Sequence, residues 1–126
     1  MTLALSRMLR KREHVNFLKD LLKKEATFEY LQMAHLKTSA LYWSLTASIL
    51  LSSLDEIYPL DQRREIEKYL EKVYRDDGGF AGNEGAHDSH LLFTLSAIQI
   101  MVIIFGRGKY PSWFNRDLTI NCKKTE

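Results

Sequence analysis

The chain has a single cysteine, Cys122, among its 126 residues. One thiol can neither close an internal disulfide nor build a multi-cysteine zinc site, and it fits a reducing compartment, read here as the cytoplasm. No apolar run reaches the roughly 20 residues that a membrane-spanning helix needs. The longest candidate, Leu91 to Phe105, is interrupted by Thr94, Ser96 and Gln99 and reads as a core helix. No stretch alternates apolar and polar residues as a half-buried strand would, which leaves an all-α protein. A finger or glycine-aromatic motif is also absent, so nothing marks a nucleic-acid partner.

What charge there is lies unevenly. Through Lys24 seven basic residues face only Glu13 and Asp20, while the remainder carries 11 basic and 14 acidic residues. The basic N-terminus reads as a solvated helix face. Its first twelve residues, MTLALSRMLRKR, have the acid-free character of a transit peptide but show no cleavage signal. The length allows one domain at most.

Periodicity predicts an amphipathic helix over about Leu5 to Lys24, with Leu5, Met8, Leu9, Leu18, Leu21 and Leu22 at helical spacing. The segment Phe28 to Leu54 holds a second periodic run, in which Ser39, Tyr42 and Trp43 share a face and Leu50 extends that side. After Pro59, Asp61 is placed to cap a helix with the stripe Ile66, Tyr69, Leu70 and Val73. Glu65, Glu67, Lys68, Glu71 and Lys72 make its other face an outer, wetted one. Gly78-Gly79 then reads as that helix's end, Gly82 and Gly85 as an open loop, and Asp88 as the cap of the next helix. In that last helix Leu91, Leu95, Ile98 and Val102 share a face; the opposite face is also apolar, which predicts burial all round.

The segment SALYWSLTASIL (39–50) overlays SHLLFTLSAIQI (89–100) at an offset of 50 residues, with Ser39/Ser89, Leu41/Leu91, Leu45/Leu95 and Ala47/Ala97 identical. The outer helix lies between the two copies. This is the order inner, outer, inner of stacked helical hairpins, whose units need neighbours to cover their apolar faces. After Gly106 the pattern stops, and RGKYPSWFNRDLTINCKKTE brings Gly108, Pro111 and scattered charge instead of another outer helix. At about 1.5 to 3 kcal/mol per large apolar side chain left uncovered, a few exposed positions rival a domain's whole stability. The expectation is a truncated or alternatively ended product with three parts: a basic amphipathic helix (1–27), a repeat region (28–105) and a divergent tail (106–126).

FEYLQMAHLKTSALYWSLT (28–46), DDGGFAGNEGAHDSHLLFTLSAIQI (76–100) and the hairpin between them resemble the β-subunits of protein prenyltransferases, most closely the type 2, or Rab, geranylgeranyltransferases. The resemblance implies an incomplete α/α toroid, an all-α barrel of helical hairpins around an apolar funnel that holds the isoprenoid diphosphate. It implies isoprenoid-lining roles for Ser39, Tyr42, Trp43 and Leu95, with Ser39 a small residue that leaves room for a twenty-carbon chain. It further implies transfer of geranylgeranyl from geranylgeranyl diphosphate to C-terminal cysteines of Rab GTPases, with a helical α-subunit and a Rab escort protein as partners. In the complete family enzyme zinc holds the attacking thiolate. The family's Asp-x-Cys zinc ligands are absent from this sequence, so the chain alone is expected to be inactive. From the residues alone, the four lining positions are core positions of apolar helices.

Two other readings remain open: a non-enzymatic helical interaction protein, and a β-subunit of another protein prenyltransferase. His87 and His90 bracket Asp88 but have no third ligand near in sequence, so no metal is assigned to them. Asp76 and Asp77 read as a solvated helix end. Ser39, Ser89 and Ser96 lack the glycine elbow of a nucleophile, and His14 and His35 receive no role.

Overall fold

A computed structural model describes residues 8–23 and 28–114. Six α-helices order these residues: α1 (Lys11–Leu21), α2 (Phe28–Met33), α3 (Lys37–Leu50), α4 (Leu54–Ile57), α5 (Leu60–Val73) and α6 (Leu91–Phe105), with a 3₁₀ turn at Ala34–Leu36 before α3. Among the described residues the sole β-type pairing is an isolated bridge between Tyr74 and Phe80. The all-α expectation holds.

α1 is shorter than its periodicity suggested. It follows Arg10, whose φ of 45° is left-handed, and buries Val15 and Leu18, whereas Met8, Leu9 and Leu21 are exposed; Leu5 lies outside the described residues. The periodic run expected within Phe28 to Leu54 is α3, and the rest of that segment forms α2, the 3₁₀ turn and the beginning of α4. Glu56 on α4 ties that short helix to α1, accepting from Arg12 at 2.7 Å and Lys19 at 2.6 Å.

In α5 the expected stripe is the buried one: Ile66, Tyr69, Leu70 and Val73 all face the core. Its start differs, since the N-cap position is Pro59 and no side chain caps it. Asp61 instead lies within the first turn, where a carboxylate still favours the helix dipole. The helix ends at Val73 with Tyr74 extended, so Gly78-Gly79 does not terminate it. Those glycines turn a small hairpin: Arg75 N–H donates to Gly79 O at 2.9 Å, Ala81 N–H donates to Val73 O at 2.9 Å, and Gly78 takes a φ of 86°. Gly82 does not hold a loop open either. It is buried, and its carbonyl accepts from Thr38 N–H at 3.1 Å and Tyr69 OH at 3.2 Å.

α6 is capped by His90 rather than Asp88, because His90 Nδ1 accepts from Leu92 N–H at 3.2 Å. The hairpin sets this starting point, since His90 N–H donates to Phe80 O at 3.0 Å and keeps the chain extended up to that residue. The helix is not buried all round. Ala97, Ile100 and Met101 are in the core, whereas Leu91, Leu95, Ile98 and Val102 form an exposed stripe, Leu91 being 83% exposed.

Two side-chain hydrogen bonds define how α6 sits against α3. Ser39 pairs with Ser96 and Tyr42 with Gln99, each pair 57 residues apart. An equal offset means that the helices run parallel. Their sequence repeat is offset by 50 residues, so equivalent positions are staggered by seven, about two turns or 10 Å along the axis. α5 runs the other way behind them: Tyr69 near its C-terminal end lies 2.9 Å from Thr38 at the start of α3. This is the inner, outer, inner order expected from the repeat. Beyond α6, Trp113 and Phe114 pack on Tyr74 at ring distances of 5.4 and 5.7 Å, so the first part of the tail covers the hairpin's aromatic side.

Candidate functional site

The α3–α6 pair carries all four residues singled out in the sequence, but it treats them differently. Ser39 is fully buried in the seam between the helices, with its Oγ 3.0 Å from Ser96 Oγ. Tyr42, one turn later, is half-buried, and its hydroxyl accepts from Gln99 Nε2 at 3.2 Å. Trp43 and Leu95 lie open to solvent, 59% and 54% exposed. The structure therefore brings the four onto one pair of neighbouring helices, two within the seam and two on exposed surface.

Sequence reasoning treated Ser96 and Gln99 as polar interruptions of an apolar run. They are the seam's partners for Ser39 and Tyr42. A signal for this existed: both helices carry polar side chains three residues apart, which lie on one helical face.

Chemically the surface is a wall rather than a reaction centre. Leu91, Leu95, Ile98 and Val102 are apolar, α6 contains no charged residue, and Trp43 adds a large ring. Such a surface can hold a hydrocarbon chain by removing apolar area from water, but it supplies no acid, base or nucleophile. Among the described residues no three His, Cys, Asp or Glu side chains converge to hold a metal ion, so the zinc implied by the family resemblance does not fit the residues present there. His90 is occupied as a helix cap and packs 5.6 Å from the Phe93 ring. Cys122 lies outside the described residues.

The hairpin end holds a polar depression lined by Arg75, Asp76, Asp77, Glu84, His87 and Asp88. Two of these residues serve the turn: Arg75 Nη2 donates to Ala86 O at 2.6 Å, and Asp77 accepts from Ser89 Oγ and from Gly79 N–H. Those two bonds, the serine's first, hold the Asp77 carboxyl below its ordinary range.

Compared with known families, residues 9–123 match the prenyltransferase alpha-alpha toroid domain. The chain belongs to this family. Within it, the chain is 38% identical over 90 residues to a probable geranylgeranyl transferase type-2 subunit beta of Dictyostelium discoideum, covering 71% of this chain and 25% of that protein. Against geranylgeranyl transferase type-2 subunit beta 1 of Arabidopsis thaliana the identity is 39% over 89 residues, 71% of this chain and 26% of the other. The type-2 subunit beta of Saccharomyces cerevisiae gives 33% over 93 residues, 74% and 27%. This prenyltransferase chain thus spans about a quarter of the length of the curated relatives it matches. No solved structure matches it. No helix among the described residues is long and apolar enough to cross a membrane. In toroid terms, α3 and α6 are neighbouring inner helices and α5 is the outer helix between them.

Proposed function

We propose that this chain serves as part of the β-subunit of a Rab geranylgeranyltransferase, which transfers geranylgeranyl from geranylgeranyl diphosphate to C-terminal cysteines of Rab GTPases. The similarity to type-2 β-subunits of three distant organisms over about seven-tenths of the chain carries this reading. In it, Ser39, Tyr42, Trp43 and Leu95 belong to the wall that receives the isoprenoid. The apolar, uncharged surface of α6 supports that role. The partners are a prenyltransferase α-subunit and a Rab protein presented by its escort protein, in the cytoplasm. The repeat region over 28–105 supplies the wall, with 1–27 and 106–126 flanking it.

By itself this chain has a wall but no thiol-activating centre, since its sequence contains no Asp-x-Cys. The purified chain mixed with α-subunit, Rab and escort protein is therefore expected to transfer no label from radioactive geranylgeranyl diphosphate. Transfer above a protein-free blank overturns that expectation.

A second reading is favoured by one observation, the exposed stripe of α6. In it the chain is a non-enzymatic helical protein that uses this stripe to engage a partner. A well-dispersed NMR spectrum from a stable monomer, with no broadening along α6, counts against it.

A further inference from the structure

α6 runs for 15 residues without a charged side chain, and Leu91, Leu95, Ile98 and Val102 stand exposed along it. These four follow one another at steps of four, three and four. Alternating steps of three and four make the seam of a two-helix coiled coil, where apolar knobs of one helix enter holes on another. The stripe offers neither charge nor hydrogen bond, so whatever covers it needs only apolar surface of matching shape.

A second copy has that shape. Exposure falls along the stripe, from 83% at Leu91 through 54% at Leu95 to 36% at Ile98 and 39% at Val102. Leu91 stands proud and Val102 sits low. A copy laid antiparallel reverses the slope, so that its Val102 receives Leu91 and its Ile98 meets Leu95. The register is open to it, because steps of four, three and four read the same from either end. A parallel copy would set proud against proud and low against low. Antiparallel helices also oppose their dipoles. We infer that the exposed stripe of α6 is a homodimer surface, on which a second copy of this chain lays its own α6 antiparallel.

Such a pairing uses the same patch on both copies and closes at two. With Leu92 beside it, the stripe leaves on the order of 500 Å² of side-chain surface open per copy; about 1,000 Å² for the pair lies at the small end of specific interfaces, which makes the dimer a reversible one. This inference rests on the partner-binding reading of the stripe and names the partner.

Sedimentation velocity of the full chain over a wide concentration range tests it. The average mass is expected to rise from one chain toward two. Leu91→Glu is expected to weaken the dimer at least about tenfold, since symmetry removes each contact twice. A carboxylate in the first turn suits the helix dipole, so this variant keeps its fold. Cross-linking reads the orientation, on a Cys122→Ser background. A mixture of Leu91→Cys and Val102→Cys chains is expected to form a disulfide on mild oxidation, and either chain alone to form none, because like positions lie at opposite ends of the antiparallel seam.

Like positions that cross-link as fast as the mixture overturn the inference. So does a chain that sediments as a monomer at every concentration. If an anilinonaphthalene dye then still distinguishes wild type from Ile98→Lys, the partner-binding reading survives with another occupant, and displacement of that dye by geranylgeranyl diphosphate identifies the occupant as lipid. A monomer whose dye binding Ile98→Lys leaves unchanged ends the inference and the partner-binding reading together.

Discussion

Gly82 shows what a single missing side chain permits. A Cβ built there stands 2.3 Å from the carbonyl oxygen of His35 and 2.7 Å from the Phe93 ring, inside the contact distance of either. The glycine carbonyl in turn accepts from Thr38 and Tyr69, so this position joins the hairpin to the start of α3 and the end of α5. Gly82→Ala is expected to cost about 1–3 kcal/mol, the usual range for overpacking a fitted site, because the obstacle is backbone rather than a flexible side-chain tip. Urea unfolding followed by circular dichroism measures it. Gly85→Ala serves as the control, since its nearest neighbour is an Asn83 oxygen at 3.6 Å, and little change is expected. Composition marked this stretch as a turn but not Gly82 as its keystone. The His35 carbonyl that excludes a side chain is far away in sequence, and only the packed chain brings it near.

The short helix α4 holds α1 through one carboxylate. Hydrogen bonds from Arg12, the larger effect, and from Lys19 pull the Glu56 carboxyl down to about 2 from an ordinary 4.5. Because the folded-state pKa is depressed, the stabilisation is present above pH 4.5 and disappears as the pH falls toward 2. The pair is exposed, so salt should weaken it. Helical signal is expected to decline over that window in the wild-type chain, and Glu56→Gln is expected to flatten that part of the profile. An unchanged profile in the variant contradicts this assignment.

Most elements were legible where one face is wet. In α5 the charged residues fixed the outer face and thus identified the buried stripe. α6 offered no such contrast, since apolar residues surround it, and its open side could not be read from its own periodicity. Helix starts were also misread. Asp88 and Asp61 are ordinary capping residues, but the hydrogen bond from His90 to Phe80 decides where α6 begins, and Pro59 stands at the start of α5. The positions of Ser39, Tyr42, Trp43 and Leu95 on adjacent helices followed from the repeat. Their division between seam and surface did not, because it depends on the two-turn stagger.

At the scale of the molecule, the core and the stripe make opposite demands on water. Leu91, Leu95, Ile98 and Val102 are left open on a helix without charge, and contiguous apolar surface of this kind marks a place that another molecule covers. The chain is expected to enhance the fluorescence of an anilinonaphthalene dye in its native state. Ile98→Lys, which places one charge in the middle of the stripe, is expected to reduce that enhancement at least twofold while the circular dichroism spectrum stays the same. Equal dye binding by the two proteins would show that the stripe is not the surface sensed.

The equal spacing of the two seam bonds also bears on the order of folding. The Tyr74–Phe80 bridge joins residues six apart, whereas Ser39–Ser96 and Tyr42–Gln99 each join residues 57 apart. The entropy lost in closing a loop rises with its length, and distant contacts form only after nearer ones have shortened the path between them. α5 and the hairpin after it are therefore expected to form early, and the α3–α6 seam to close last. A chain halted before that step has its helices but not the face that α3 and α6 share.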